Sequence, residues 1–111
     1  MLVPEPEARI TRYEVSCAPR TEWGFIVFVA EDADGWAVVN QYRFLNTDGV
    51  WTEGSDLVDD ADAWRVWRLS CRFDLDTAMR LAKEVAPLIT VNGKTTAQHL
   101  ADMALNAQEA P

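Results

Sequence analysis

The sequence predicts an α+β domain: an antiparallel β-meander of four to five strands followed by two C-terminal helices packed on one face. Three observations carry this expectation. Apolar residues recur with period 2 through much of the stretch before Asp74 and with period 3.6 after it. Turn-forming pairs, Asp34-Gly35, Asp48-Gly49 and Asn92-Gly93, punctuate the chain where hairpins need them. The connections they imply are short and local, and strands come first with helices last.

In chain order, residues 1–8, with Pro4 and Pro6, read as a tail, leaving 9–107 as a single domain and 108–111 as a frayed end. The first strand is expected over Ile10–Cys17, where Tyr13, Val15 and Cys17 alternate with Arg12, Glu14 and Ser16. Gly24–Ala30 is apolar on both faces, with Phe25, Val27 and Val29 on one and Ile26, Phe28 and Ala30 on the other, the pattern of a strand covered on both sides. Asp34-Gly35 supplies a type I′ turn into a partner strand, Trp36–Leu45. Asn46-Thr47-Asp48-Gly49 turns again into a short strand around Val50–Thr52. Glu53–Ala63 reads as a loop or one helical turn beginning at Ser55, and Trp64–Phe73 as the last long strand, with Trp67, Leu69, Cys71 and Phe73 on one face. Asp74 or Asp76 then caps a helix whose apolar face is Leu75, Ala78, Met79, Ala82 and Val85, ended by Pro87. Thr95-Thr96-Ala97-Gln98 fits a capping box for a second helix with a stripe of Ala97, Leu100, Ala101, Ala104 and Leu105.

With 111 residues, 49% of them hydrophobic and 25% charged, the chain is sized for one ordinary domain. A chain this long removes roughly 65% of its extended surface from water on folding, enough for a core without metal or disulfide staples. No apolar run approaches the roughly 20 residues of a membrane span, and the first residues carry neither a basic start nor an apolar stretch. The expected setting is therefore cytoplasmic, without membrane contact, and Cys17 and Cys71 read as small buried hydrophobes.

Charge is the most uneven feature. Residues 31–62 hold Glu31, Asp32, Asp34, Asp48, Glu53, Asp56, Asp59, Asp60 and Asp62 against Arg43 alone, so this segment carries the whole net charge of −8 and the rest of the chain is neutral. That balance speaks against direct nucleic-acid binding, whose affinity comes from counterions released by Lys and Arg. Acids gather in turns for local reasons, because Asp there bonds its own backbone. The alternative is an acidic surface that attracts a basic partner. Trp51 and Trp64 flank the segment, and aromatics beside charges are common anchors of protein interfaces. A second minor apolar cluster would use the same two residues. Trp36 and Trp67 read as fillers of the sheet. Arg65, Arg68 and Arg72 fall on the last expected strand, with Arg68 and Arg72 on the face of Trp64 and poised to pair with the acidic hairpins.

Motifs for chemistry are sparse. One histidine, His99, falls outside the apolar stripe of its helix and reads as a rim residue; with two cysteines it cannot furnish the usual four-ligand zinc site. Asp32-Ala33-Asp34-Gly35 starts like a calcium loop, but its glycine comes at the fourth rather than the sixth position, so it reads as a hairpin turn. No phosphate-binding glycine loop and no nucleophile elbow is present, and no cofactor is expected. Asp56, Asp59, Asp60 and Asp62 would gather carboxylates around a divalent cation if their segment coils.

The stretch Phe73-Asp74-Leu75-Asp76-Thr77-Ala78-Met79-Arg80-Leu81-Ala82, with Val91-Asn92-Gly93-Lys94-Thr95, resembles small acidic proteins encoded by actinobacteria and their phages. The likeness covers about the last 40 residues, with a looser one in Asp48-Gly49-Val50-Trp51. It implies a bacterial or phage setting in which small acidic domains act by binding another protein, including as inhibitors that mimic nucleic acid.

The expected function is a non-enzymatic protein-interaction domain. Its partner-binding residues would be Asp32, Asp34, Asp48, Trp51, Glu53, Asp56, Asp59, Asp60, Asp62 and Trp64, docking a basic protein surface. The alternatives are a small carboxylate- or metal-dependent hydrolase using the clustered Asp, and a symmetric homodimer built on a sheet edge or the outer sheet face.

Overall fold

The computed structural model describes residues 3–54, 57 and 59–109. Five strands, β1 (Arg12–Val15), β2 (Val27–Asp32), β3 (Gly35–Asn40), β4 (Arg43–Leu45) and β5 (Trp51–Thr52), form an antiparallel meander in chain order. Three helices follow: α1 (Ala61–Ser70), α2 (Leu75–Val85) and α3 (Thr96–Glu109). A small hairpin of β6 (Thr90–Val91) and β7 (Lys94–Thr95) separates α2 from α3. The fold is α+β, with the sheet first and α2 and α3 after it.

Alternation decides which face of the sheet meets which helix. Val29 pairs with Val38, Tyr13 with Val29, and Leu45 with Trp51, so these side chains share one face. There Val27, Val29, Val38 and Leu45 are buried with Ala78 and Ala82 of α2, and Tyr13, Val15, Trp36 and Trp51 pack around them. The opposite face carries Phe44 and Thr52, and α1 covers it: the Trp67 ring stands edge-on to Phe44 at 5.3 Å, and its indole Nε1 donates to Thr52 Oγ1 at 2.9 Å. The sheet is thus held between α1 and α2. Gly54 lets the chain pass directly over Trp67, because an added Cβ would sit 2.4 Å from the ring. Gly54→Ala is therefore expected to cost about 1–3 kcal/mol, read as a lower urea midpoint, and Trp67→Leu in the same chain should recover part of the loss.

Asn40 is the main polar group of the interior, with no exposed surface. Its Nδ2 donates to the carbonyls of Gly24 (2.8 Å) and Ile26 (3.1 Å), and its Oδ1 accepts from Arg43 Nη2 at 3.0 Å. This latches a one-turn 3-10 helix, Trp23–Phe25, onto β3. At the other end of β3, Trp36 and Phe73 exchange backbone hydrogen bonds of 2.8 and 2.9 Å, which pins the junction between α1 and α2 to the sheet.

Several sequence expectations are corrected. Trp64–Phe73 is no strand: Asp60 accepts from the Ala63 amide and starts α1, which runs to Ser70. Its apolar residues fit both periods, since Trp64, Trp67 and Cys71 also repeat at helical spacing, and Val66 is the only β-branched residue of α1. Trp36–Leu45 is divided by a tight turn at Gln41, whose φ of 57° takes the chain back on itself. The strand expected from Gly24 begins only at Val27, behind the 3-10 turn, and the one expected over Ile10–Cys17 is confined to Arg12–Val15. At Asp34-Gly35 only the glycine has positive φ, so the turn is not type I′; Asn92-Gly93, with φ of 53° and 79°, has that signature. Cys71 is buried, but Cys17 is exposed, and both are free thiols. The helical turn expected at Ser55 lies outside the described residues.

The later elements follow their signals more closely. Asp74 caps α2 by accepting from the Thr77 amide at 2.7 Å, a bond that holds its carboxyl below the ordinary range. The capping box is formed: the Thr95 amide donates to Gln98 Oε1 (2.8 Å) and the Gln98 amide to Thr95 Oγ1 (3.3 Å). The stripe behind it is not covered, however; Ala97, Leu100, Ala101, Ala104 and Leu105 are all exposed. Residues 3–8 are exposed and carry no regular structure, as a tail would, whereas α3 continues through Glu109.

Candidate functional site

The site grows from the placement of α1 beside the β2–β3 turn. Both elements bring charge, and sequence order alone keeps these charges about 36 residues apart. Asp32 ends β2, and its Oδ1 accepts from the Asp34 amide at 2.9 Å, closing the turn. Its Oδ2 accepts from Arg68 Nη2 (2.9 Å) and from Arg72 Nε and Nη2 (2.9 and 2.7 Å). Arg68 and Arg72 are one helical turn apart, so both reach the same carboxylate. The Arg72 hydrogen bonds hold the Asp32 carboxyl below its ordinary value of 3.8, against partial burial that pushes it up. Arg68 Nε lies 2.8 Å from Asp34 Oδ2, close enough for the charges to attract, but its N–H is not aimed at that oxygen and has no acceptor. The Arg68 guanidinium also stacks 5.1 Å from the centre of the Trp64 ring.

Along this contact runs an open groove of about 670 Å³. Its walls are Asp34 from the turn and Ala61, Asp62, Trp64, Arg65, Arg68 and Leu69 from α1. Leu69 and the neighbouring Val66 are exposed on the outer face of the helix. The groove is therefore an apolar trough with charges of both signs at its edge. Asp59 and Asp60 stand exposed just before α1, and with Asp62 they form no ion pair among the described residues.

Of the ten residues singled out from sequence, the structure brings Asp34, Asp62 and Trp64 into this groove. Asp59 and Asp60 sit at its end. Asp32 is taken up by the two arginines and offers no free charge. Asp48 is exposed on the turn whose Thr47 amide donates to the Ser70 carbonyl, at the far end of α1, about 15 Å along the helix axis from Asp60. Trp51 is packed against the core beneath Arg43, whose guanidinium lies 5.7 Å from its ring. Its partly buried ring fills the edge of the core. Glu53 is exposed beyond β5, and Asp56 lies outside the described residues. The arginine–hairpin pairing expected from sequence does form, from a helix instead of a strand. Arg65 and Leu69 were missed as wall residues because the strand reading put Leu69 inside; their spacing of four is the signal that places them together on a helix.

Comparison with protein-family models, with curated proteins and with solved structures gives no match. The site must therefore be read from its own chemistry. Among the described residues, no three His, Cys, Asp or Glu side chains converge as metal ligands, and no helix is long and apolar enough to cross a membrane.

Proposed function

We propose that this chain is a non-enzymatic protein-interaction domain that docks a basic partner on the outer face of α1. The observation that carries this reading is the groove itself. Trp64 and Leu69 give it an apolar floor that accepts a partner side chain, and the carboxylates of Asp59, Asp60 and Asp62, in no ion pair among the described residues, give its end a negative field. With Asp32 and Asp34 paired to arginine, the carboxylates before and at the start of α1 are the acidic group beside this groove. In the bacterial or phage cytoplasm that the C-terminal resemblance implies, a specific version is an inhibitor whose carboxylates occupy the nucleic-acid site of a basic protein.

The test is capture from a bacterial lysate at two salt concentrations, followed by affinity measurement on the retained protein. A basic partner is expected to be held at about 50 mM salt and largely released at about 500 mM. Asp59→Asn/Asp60→Asn/Asp62→Asn should lose it, and Trp64→Ala should weaken it by about 30-fold, the loss of one interface anchor. A partner held equally at both salt concentrations and by the triple variant overturns the reading.

A further inference from the structure

We propose that α1 is a gate: it swings off the sheet as a unit while the rest of the domain stays folded. The two helices that sandwich the sheet are held in different ways. α2 is anchored in the core, where Ala78 and Ala82 are buried among Val27, Val29, Val38 and Leu45. No residue of α1 is buried, and among the described residues none of the core cluster comes from it. A helix of this length draws its stability chiefly from the packing of an apolar face, and segments with few buried apolar contacts open at lower free energy than the core. The attachments of α1 can be named one by one. Its apolar peg is the Trp67 ring, which meets Gly54 and Phe44 and donates to Thr52 Oγ1. A charged clamp joins Arg68 and Arg72 to Asp32, with Asp34 beside Arg68. One backbone bond of 3.0 Å runs from the Thr47 amide to the Ser70 carbonyl.

Just past the helix the chain is fixed again. Phe73 exchanges two backbone hydrogen bonds with Trp36 and packs against the core, so the hinge on this side is confined to Cys71 and Arg72. Cys71 has no exposed surface, yet it lies outside the core cluster. Its sulfur is 3.6 Å from Thr52 Oγ1, the same atom that receives the Trp67 indole. Lifting α1 therefore withdraws Trp67 from Thr52 and brings Cys71 to solvent. It also uncovers Phe44 on the sheet and takes away every wall of the groove but Asp34. The groove exists only while the gate is closed, and the Asp32 clamp sets how much of the time that is.

The two free thiols make the test direct, since Cys17 is exposed and Cys71 is buried. In the full chain carrying Cys17→Ser, Cys71 is the only thiol, and its labelling by an aromatic disulfide reads how often α1 opens. Cys71 should label without urea, at a rate that hardly changes up to the foot of the unfolding transition, because opening one helix exposes little surface. Asp32→Asn should raise that rate about 30-fold. Trp67→Phe, which keeps a ring on Phe44 but not the donor to Thr52, should raise it about 5-fold. Ala82→Gly in α2 is the control: it should lower the urea midpoint and leave the labelling rate unchanged. Four results overturn the proposal: labelling that is absent until the chain unfolds, labelling that climbs with urea along the slope of global unfolding, labelling indifferent to both Asp32→Asn and Trp67→Phe, or labelling that Ala82→Gly accelerates in step with its loss of stability.

Discussion

Asn40→Leu is expected to lower the unfolding free energy by about 3 kcal/mol. The side chain is nearly the right size, so volume is not the reason. Leucine removes both donors that meet the Gly24 and Ile26 carbonyls, and the acceptor that meets Arg43. Those carbonyls are then left facing an apolar group in a part-buried site. Asn40→Asp separates hydrogen bonding from size: it keeps the acceptor for Arg43 but turns a carboxylate toward two carbonyl oxygens. It should be at least as destabilising near pH 7 and partly recover at acid pH, where the protonated acid donates again. Urea unfolding reads both variants. The midpoint should fall with the slope unchanged, and the melting temperature should drop by about 10 °C or more.

Asp32→Asn comes next, with an expected loss of about 2 kcal/mol. Asparagine retains the acceptor that caps the β2–β3 turn but not the negative charge that receives Arg68 and Arg72. The Arg72 side chain is only 9% exposed, so its charge is poorly compensated by water once its partner is neutral. Asp32→Ala also removes the cap and should cost about 1 kcal/mol more. The sign of the pH dependence follows from the lowered carboxyl. Between the folded and unfolded values the unfolded chain binds more protons, so stability rises with pH there. The contribution is fully present above the ordinary value of 3.8 and disappears as pH falls through the lower folded value. Native chain and Asp32→Asn should therefore differ by a constant amount near neutrality and converge in strong acid.

The hairpin from β2 to β3, the turn before β5 and the caps of α2 and α3 were readable because their signals are chemical and local, whereas the turn at Gln41 that divides β3 from β4 carries no such signal. Asp34-Gly35, Asn46 to Gly49, and the capping residues Asp74, Thr95 and Gln98 act within a few positions of themselves, and each is found in that role or close to it. The segment Trp64–Phe73 was misread because ten residues rich in tryptophan satisfy two periods at once, and only the Asp60 cap separates them. That one substitution of helix for strand also explains the candidate site. Trp64, Arg65 and Leu69 share a groove only at helical spacing. Other features depend on tertiary context that no local pattern carries. Asp32 as an arginine receptor is one, and the lack of cover over the α3 stripe is another.

The lengths of the outermost strands have a consequence for how copies of this molecule meet. β1 offers four residues, with Arg12 and Glu14 exposed among them, and β5 offers only two. Neither border presents the long, flat, uncharged backbone that invites a foreign strand to add on. Open-ended stacking of sheet upon sheet into fibrils is therefore disfavoured at both sides, even in a crowded solution.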